Sequence, residues 1–584
     1  MRHVRLAITS AFLALLLAGC GGGGGGSEPA AAAPTQPPLG PGESAYDDPN
    51  AYSSAGDAGL AGAEEAAAVT RHSLTLNGTR IDYSARAGHL IARAPVTDAA
   101  QASMFYVAYT ADGASAANRP VTFFYNGGPG SASVWLHLGS FGPRRLATGV
   151  PATDLPRPFA LVANTESLLD SSDLVFVNAV STGLSQAIRP FSNRSFWGVD
   201  ADAALFRDFI RRWLTVNGRS ASPKFLFGES YGGPRTAVLA RLLHDAGVPL
   251  AGLVLQSPAM DYNSNCGVTG SGNCAANLPT YGAIGAWHQL TNPAPLDIDA
   301  FLATLRSFSA ARYRPAVAAW LSGSAVPPDM PGLLAGYTGI VAPTWSAQFN
   351  LGPGAFANNL FASAIIGRYD GRISAARGSA LASEGDPSST LIGASFATGI
   401  ATYLRDTLRY RNDSSYVLLS NAIENWNFSH AGRALPDTVP DIAAALAQNP
   451  TLRVLVVSGY HDLATPFHVT ELDMARLGND ARIQLRNYRG GHMSYLDDTT
   501  RVRQKADLVA FYAGTLAALH ARAVPLAAAP AAPAVAAPDR AGTPPLTRQS
   551  VTPEPVIQTP HRDPWAPPAQ VQQALREAAA VPPR

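Results

Sequence analysis

Cysteine, charge and long apolar runs are all scarce in this chain. Of its 584 residues, three are cysteines and 15% are charged, and 43 basic against 42 acidic residues give a net charge of +1. Such a balance provides no basic surface for nucleic acid and no polybasic patch for a membrane. The sequence also has no phosphate loop, no dinucleotide fingerprint and no cluster of metal-ligand residues, so it predicts neither a cofactor nor a metal.

The apolar run near the N-terminus is too short to span a bilayer comfortably. A basic pentapeptide precedes an apolar stretch from about Leu6 to Leu17, which is the pattern of an export signal. The stretch ends in L-A-G-C at Cys20, which resembles the lipobox of bacterial lipoproteins, where the cysteine is acylated. The alternative is an ordinary secretory peptide cut nearby. We therefore expect an exported lipoprotein, periplasm-facing or anchored in the outer membrane through lipid on Cys20.

The two remaining cysteines predict a local disulfide. Cys266 and Cys274 bracket a short Gly-rich segment in a chain that we expect to be exported, where disulfides form and persist. Closing so small a loop stabilises a fold by about 2–3 kcal/mol in the chain-entropy model. A zinc site is disfavoured because no histidine or third cysteine lies near the pair in sequence.

Composition divides the chain into segments. Residues 1–20 form the predicted signal, and residues 21–67, rich in Gly, Ala and Pro, predict a flexible linker. Residues 68–523 predict one folded domain, in which residues from about 260 to 445 carry mostly helical patterns and form a cap insertion. Residues 524–584 are rich in Ala and Pro and predict a disordered tail with one possible short helix.

Strand and helix patterns alternate outside the insertion. "SLTLNGTRIDYSAR" predicts a hairpin turning at Asn77-Gly78, and "DADAALFRDFIRRWLTVNG" has apolar residues at helical spacing. Further predicted strands include "PVTFFYN", "SDLVFVNAV", "KFLFGE", "LAGLVLQSP", "LRVLVVSG" and "RIQLRNYRG". The alternation predicts an α/β fold with a mostly parallel central sheet flanked by helices.

One serine stands on a sharp predicted turn. After the strand "KFLFGE", residues 228–232 read G-E-S-Y-G, the G-x-S-x-G pattern in which glycines allow a tight strand-to-helix turn around a nucleophile. Taken alone, such a short match favours an ordinary loop serine. Ser230 needs a base, an orienting acid and an oxyanion hole from elsewhere in the chain.

Two later strand ends supply the missing acid and base. Asp462 follows "LRVLVVSG" and His492 follows "RIQLRNYRG", so both lie at carboxyl ends of strands, where open α/β sheets place catalytic groups. The order Ser230, Asp462, His492 is that of the α/β-hydrolase catalytic triad. The coincidence of all three favours a nucleophilic Ser230 over a loop serine.

An oxyanion hole requires backbone N–H groups near the nucleophile. Tyr231, the residue after Ser230, supplies one. The strand-to-loop junction "FFYNGGPGSAS" at residues 123–133 can supply the other, because its glycines let the backbone approach a substrate. A plain Gly/Pro turn is the alternative there.

Four segments in this order resemble the serine carboxypeptidases, peptidase family S10. They are "YNGGPGSAS", "GESYGG", "SGYHDLATPF" and "GGHMSY", and the resemblance covers roughly residues 100–520. It implies an α/β-hydrolase fold and a triad of Ser230, Asp462 and His492. It also implies an oxyanion hole from the N–H groups of Gly128 and Tyr231, and binding of the C-terminal carboxylate of a peptide by Asn126 and Glu229.

A glutamate facing a substrate carboxylate must be protonated, because two like charges in a dry pocket disfavour double ionisation. We therefore expect a raised pKa for Glu229. The family usually adds a second glutamate that shares this proton, but Ser140 stands at its place in "VWLHLGSFGPRR". Arg144 and Arg145 come shortly after Ser140 in the sequence. They could provide a positive partner for a carboxylate, or they could be an ordinary pair of solvated surface residues. Asn178 stands where the family tends to have an aspartate, and Val180 stands where it tends to have a proline.

These features predict a serine-type carboxypeptidase that acts on peptides with a free C-terminus through an acyl-enzyme on Ser230. The departures affect carboxylate recognition more than acyl transfer. The first alternative is therefore an esterase or acyltransferase of the same fold acting on small molecules. A non-catalytic surface lipoprotein is the second, and the complete set of triad residues argues against it.

Overall fold

The secondary structure is given for residues 38–269 and 272–523, which the computed structural model describes. The strands there are β1 (Tyr46–Asp47), β2 (Ala67–Leu76), β3 (Thr79–Arg93), β4 (Ala100–Ala111), β5 (Val121–Tyr125), β6 (Arg144–Leu146), β7 (Leu161–Ala163), β8 (Asp173–Val177), β9 (Gln186–Ala187), β10 (Lys224–Glu229), β11 (Gly252–Gln256), β12 (Ala364–Ile366), β13 (Ser374–Ala376), β14 (Tyr410–Arg411), β15 (Arg453–Gly459) and β16 (Ile483–Tyr488). The α-helices are α1 (Val134–Gly139), α2 (Val199–Val216), α3 (Gly232–Asp245), α4 (Cys266–Thr269), α5 (Leu278–Trp287), α6 (Ile298–Phe308), α7 (Arg314–Leu321), α8 (Met330–Thr338), α9 (Ala342–Ala347), α10 (Pro353–Asn359), α11 (Pro387–Thr402), α12 (Val439–Gln448), α13 (Phe467–Ala475) and α14 (Asp498–Ala523). Short 3₁₀ or π turns lie at Leu168–Asp170, Asn193–Phe196, Cys274–Asn277, Ser309–Tyr313, Ala380–Ala382, Tyr403–Thr407, Asn421–Asn425 and Ser494–Leu496.

The central sheet contains ten of these strands. Their order is β16-β15-β11-β10-β5-β8-β4-β3-β2, with β9 paired to β4. The pairs from β16 to β8 are all parallel. The pairs from β8 to β2 are antiparallel. The predicted α/β-hydrolase fold is therefore confirmed, with an antiparallel extension at one side of the parallel strands.

The predicted hairpin forms the outer edge of the antiparallel extension. Asn77 and Gly78 have φ values of 48° and 78°, and they join β2 to β3 in register from Leu76↔Thr79 onward. A two-residue loop with positive φ at both positions matches the twist of its flanking strands, which explains the Asn-Gly sequence.

Apolar side chains cover both faces of the sheet. Alternate residues of each strand point to opposite faces, so Phe123 packs on one side of β5 and Phe124 on the other. The first face is covered by α2, α3 and α12 and the second by α1, α11 and α14. These two layers fix the strand ends at which the candidate site lies.

The insertion between β11 and α12 has an apolar core of its own. Tyr281 stacks on Phe356 with ring centroids 4.1 Å apart, and Trp345 is buried beside them. Cys266 and Cys274 form the predicted disulfide, with their Cα atoms 5.4 Å apart. This insertion carries helices α4 to α11, and its segment around Tyr369 reaches the candidate site described below.

We predicted a flexible linker over residues 21–67, and this prediction is wrong for the second half of that segment. Strand β1 pairs with β14, and Leu60 forms a bridge with Ile188. Tyr52 stacks on His89 with ring centroids 4.8 Å apart. Composition could not predict this packing, because the segment has only isolated aromatic and aliphatic side chains among small residues. Their contacts are with residues that are distant in sequence and come close only in the folded domain.

Several predictions lie outside the described residues. These are the signal with Cys20, the first part of the linker, and the tail 524–584 with its possible helix. Within the described ranges, no helix combines the length and apolar character needed to cross a membrane.

Candidate active site

Ser230 stands on the turn between β10 and α3 with φ at 61°, a left-handed value that is uncommon for a residue other than glycine. Its backbone N–H donates to the carbonyl of Gln256 at 2.9 Å. A Cβ on Gly228 would lie 2.3 Å from both the Gly232 carbonyl oxygen and Thr236 Oγ1, so the turn needs glycine there. The G-x-S-x-G pattern thus forms a strained strand-to-helix turn with a half-buried serine.

Asp462 and His492 meet at the carboxyl ends of β15 and β16. His492 Nδ1 lies 2.7 Å from Asp462 Oδ2, and both side chains are buried. The Asp462 carboxylate also accepts the backbone N–H groups of Ala464 and Thr465 on Oδ1, at 2.8 and 3.0 Å, and the Thr465 hydroxyl on Oδ2 at 2.7 Å. Because the acid is held by these donors, the proton on Nδ1 has a fixed acceptor and Nε2 is left free to accept.

The backbone of His492 is fixed as firmly as its ring. Its carbonyl accepts the Ser257 hydroxyl at 2.7 Å and the Gln256 amide at 3.1 Å, and its ring packs on Tyr369. Burial opposes protonation of the ring, but the Asp462 carboxylate outweighs it and raises the pKa of His492 above its usual value. In the described part of the chain the Ser230 hydroxyl makes no hydrogen bond to His492, a contact that often tightens only when substrate binds.

The Asn126-to-Gly130 loop lies directly against the turn of Ser230. A Cβ on Gly127 would lie 2.4 Å from the Tyr231 backbone nitrogen, and Gly128 has φ at 101°. Among the described residues, the N–H groups of Gly128 and Tyr231 have no protein acceptor. Both groups are therefore free to donate to an oxygen of a substrate.

A buried arginine holds this loop in place. Arg235 on α3 donates to the Asn126 carbonyl at 2.7 Å and forms a paired contact with the Asp202 carboxylate, at 2.6 and 3.2 Å. The guanidinium also stacks over Phe206, 4.5 Å from the ring centroid. The two charges pair directly, although burial still raises the pKa of the Asp202 carboxyl above its usual value.

Glu229 is buried next to the serine with both of its carboxyl oxygens engaged. Asn126 Nδ2 donates to Oε1 at 2.7 Å, and the Tyr495 hydroxyl donates to Oε2 at 2.6 Å. Burial raises the pKa of Glu229 to about 7, against the lowering effects of His492, Tyr495 and Asn126. Asn126 accepts the Leu136 N–H on its own Oδ1, so its amide orientation is fixed, and its side chain also interacts with the Tyr495 hydroxyl.

Comparison with known proteins finds one protein family whose model matches part of this chain. The family model of the serine carboxypeptidases, Peptidase S10, matches residues 77–271, which include Asn126, Gly128, Glu229, Ser230 and Tyr231. Over these residues the chain is similar to the serine carboxypeptidase family. Family and fold together support a serine hydrolase. No curated protein matches the chain in sequence.

Solved structures with a similar fold come from several hydrolase types. A prohormone-processing carboxypeptidase, Kex1 from Saccharomyces cerevisiae, is 15% identical with a TM-score of 0.47, covering 74% of this chain and 91% of its own. Proline iminopeptidase from Mycobacterium smegmatis is 15% identical with a TM-score of 0.32, over 74% of this chain and 100% of its own. Carboxylesterase CesB from Bacillus subtilis is 11% identical with a TM-score of 0.31, over 78% and 94%. None of the three says what this chain acts on.

Among the described residues, Ser140, which stands where the resemblance leads us to expect a second glutamate, makes no hydrogen bond to Glu229. The Ser140 hydroxyl donates to the Leu136 carbonyl at 2.6 Å, where it ends α1. Arg145 lies 3.5 Å from Asp498, and Arg144 is exposed on β6, so within the described residues neither partners Glu229. Asn178 accepts the Ser133 N–H at 2.9 Å and supports the start of α1.

Tyr495 is the residue of this site that the sequence analysis missed. It lies in the "GGHMSY" segment, three residues after His492, and its side chain is fully buried. Its hydroxyl contacts Glu229 although 266 positions separate the two residues. The only signal in the sequence was a tyrosine close behind the histidine, and that pattern alone does not say which group the hydroxyl reaches.

Proposed function

We propose that this protein is a serine-type carboxypeptidase that releases C-terminal amino acids from peptides. One observation carries the proposal: a buried glutamate, with its pKa raised to about 7, sits next to the serine and shares a hydrogen bond with Asn126. A neutral carboxyl suits the carboxylate at a peptide terminus, because it can donate a hydrogen bond to that carboxylate and does not repel it.

The proposed chemistry follows from the proton acceptors of the site. Ser230 attacks the carbonyl of the last peptide bond while His492 Nε2 takes the hydroxyl proton and Asp462 holds the ring through Nδ1. The N–H groups of Gly128 and Tyr231 stabilise the oxyanion. His492 then protonates the leaving amino group, and water, activated by the same ring, hydrolyses the acyl-enzyme. No step in this sequence uses a cofactor.

The test compares three substrates with the same acyl group: a blocked dipeptide with a free carboxylate, its C-terminal amide, and a simple ester. At about pH 6 we expect kcat/KM for the free acid to exceed that for the amide by at least 100-fold, since only the acid uses the Glu229 and Asn126 contacts. Equal rates for acid and amide, or turnover of the ester alone, would favour the esterase or acyltransferase alternative.

Replacing Glu229 with glutamine should remove the upper pH limit of free-acid hydrolysis. In the wild type, Glu229 becomes charged as the pH rises through about 7, so kcat/KM for the free acid should fall about tenfold per pH unit above that value. Glutamine stays neutral at every pH, so Glu229→Gln should keep its rate constant up to at least pH 9. Both enzymes should lose activity at low pH as His492 becomes protonated.

The ester serves as the control for this variant. It carries no carboxylate, so its hydrolysis should show no fall above pH 7 in either enzyme. Its fall at low pH, which His492 sets, should move to lower pH in Glu229→Gln, because the variant loses the charge that helps to raise the pKa of His492. An upper limit that persists in Glu229→Gln with the free acid would show that another group rejects the substrate carboxylate.

A further inference from the structure

The two hydrogen-bond neighbours of Glu229 differ in what they can do. Asn126 is fixed as a donor toward Oε1, because its own oxygen accepts the Leu136 N–H. The Tyr495 hydroxyl at Oε2 can donate to an ionised carboxylate and can equally accept from a protonated carboxyl. Tyr495 is therefore the neighbour that can satisfy Glu229 in both of its protonation states.

The position of Tyr495 is rigid. It lies in the short turn Ser494–Leu496, and its side chain is fully buried in the apolar layer that also contains Leu496 and Phe396. Ser494, beside it, donates to Gln504 Oε1 at 3.1 Å. The Tyr495 pKa is raised well above its usual value by burial and by Glu229, so the phenol stays protonated and available throughout the working range.

Other titratable groups also act on Glu229. His492 and Asp462 approach from the loops after β16 and β15, the first lowering the pKa of Glu229 and the second raising it. Tyr369 approaches from the insertion, and Arg368 beside it acts on His492. Within residues 38–269 and 272–523, only Tyr495 and Asn126 donate hydrogen bonds to the oxygens of the Glu229 carboxyl.

We propose that Tyr495 is a positioning residue, and that its hydroxyl sets the pH range in which Glu229 accepts a substrate carboxylate. The inference rests on the proposed carboxypeptidase function. A hydroxyl that donates to Oε2 favours the ionised carboxylate, so losing it should keep Glu229 neutral to higher pH.

The test is Tyr495→Phe, which removes only the hydroxyl. With the free-acid dipeptide, the upper limit of the kcat/KM profile should move to higher pH by about one unit. The ester carries no carboxylate, so its profile should have no upper limit set by Glu229 in either enzyme, and any change should be confined to the low-pH limb that His492 sets. An unchanged upper limit in a folded Tyr495→Phe enzyme would overturn the proposal, as would an equal shift in the ester profile.

Tyr488→Phe is the matched control. Tyr488 is also a buried tyrosine that donates to a carboxylate, Asp507 Oδ2 at 2.5 Å, but that carboxylate is on α14 and outside the site. Tyr488→Phe should leave both profiles in place. If it shifted the free-acid limit as far as Tyr495→Phe does, the effect would be a general one of lost tyrosine contacts, and the proposal would fail.

A second variant guards against misfolding of Tyr495→Phe. Difluorotyrosine incorporated at position 495 keeps the shape and hydroxyl but makes the phenol a stronger donor. It should move the free-acid limit in the opposite direction, to lower pH. A shift to higher pH, or none, would contradict the proposal independently of the phenylalanine variant.

Direct titration separates this inference from the proposed function. Infrared difference spectra of the enzyme without substrate report the C=O stretch of protonated Glu229, assigned by its loss in Glu229→Gln. The titration midpoint should rise in Tyr495→Phe whether or not the enzyme prefers free acids. A missing preference for free acids would reject the carboxypeptidase function, whereas an unmoved midpoint would reject the role of Tyr495.

Discussion

Replacing Ser230 with alanine is expected to reduce kcat by roughly 10⁴-fold or more for every substrate that the enzyme hydrolyses. The reason is the left-handed turn that carries this serine next to two free backbone N–H groups, with only β11 between its strand and the strands that end at the buried Asp462–His492 pair. No acyl-enzyme can form without the hydroxyl. Substrate binding should persist, because Asn126 and Glu229 keep their contacts.

The measurement for Ser230→Ala pairs kinetics with labelling by a fluorophosphonate, which should modify Ser230 in the wild type and nothing in the variant. Ser307→Ala is the control, since Ser307 is exposed on α6 and its hydroxyl donates only to the Ala303 carbonyl. It should retain full activity and labelling. Hydrolysis by Ser230→Ala within tenfold of the wild-type rate would remove Ser230 from the mechanism.

Replacing Asp462 with asparagine is expected to lower kcat by about 10⁴-fold while changing KM little. The Ala464 and Thr465 N–H groups bind Oδ1, so an asparagine would keep its carbonyl oxygen there. Its amide nitrogen would then face His492 Nδ1 and donate to it. The ring proton would be forced onto Nε2, which could no longer take the proton of Ser230.

A matched carboxylate-to-amide change outside the site controls for this variant. Asp480 pairs with Arg482 just before β16, so Asp480→Asn removes an acid near the same strand without touching His492. It should leave kcat within about twofold, because the pair is partly exposed and such surface ion pairs contribute little. If Asp462→Asn kept more than a tenth of the wild-type kcat, Asp462 would not be the residue that orients His492.

Much of the fold and part of the site follow from local sequence patterns. Period-two and buried-strand patterns located the strands that end at Ser230, Asp462 and His492, because each strand is bounded by turn residues. The Asn77-Gly78 turn fixed one antiparallel pair. The raised pKa expected for Glu229 also appears, since its cause, burial next to the nucleophile, comes with the turn itself.

Long-range contacts could not be predicted from those patterns. The packing of residues 44–60 on the domain depends on partners such as His89 and Ile188, which no local period identifies. The contact between the Tyr495 hydroxyl and Glu229 depends on how the loop after β16 packs against the end of β10. The family resemblance therefore drew attention to Ser140 in place of a second glutamate, but the contact of Tyr495 with the carboxyl is visible only in the fold.

The most direct test of the account is the ratio of kcat/KM for the free-acid dipeptide to that for its amide, measured on the wild-type enzyme from about pH 5 to pH 9. The account predicts a large ratio below pH 7 that falls about tenfold per unit above it, as Glu229 ionises and repels the substrate carboxylate. A ratio near one, or a large ratio that does not change with pH, would contradict recognition of the C-terminus by a neutral Glu229.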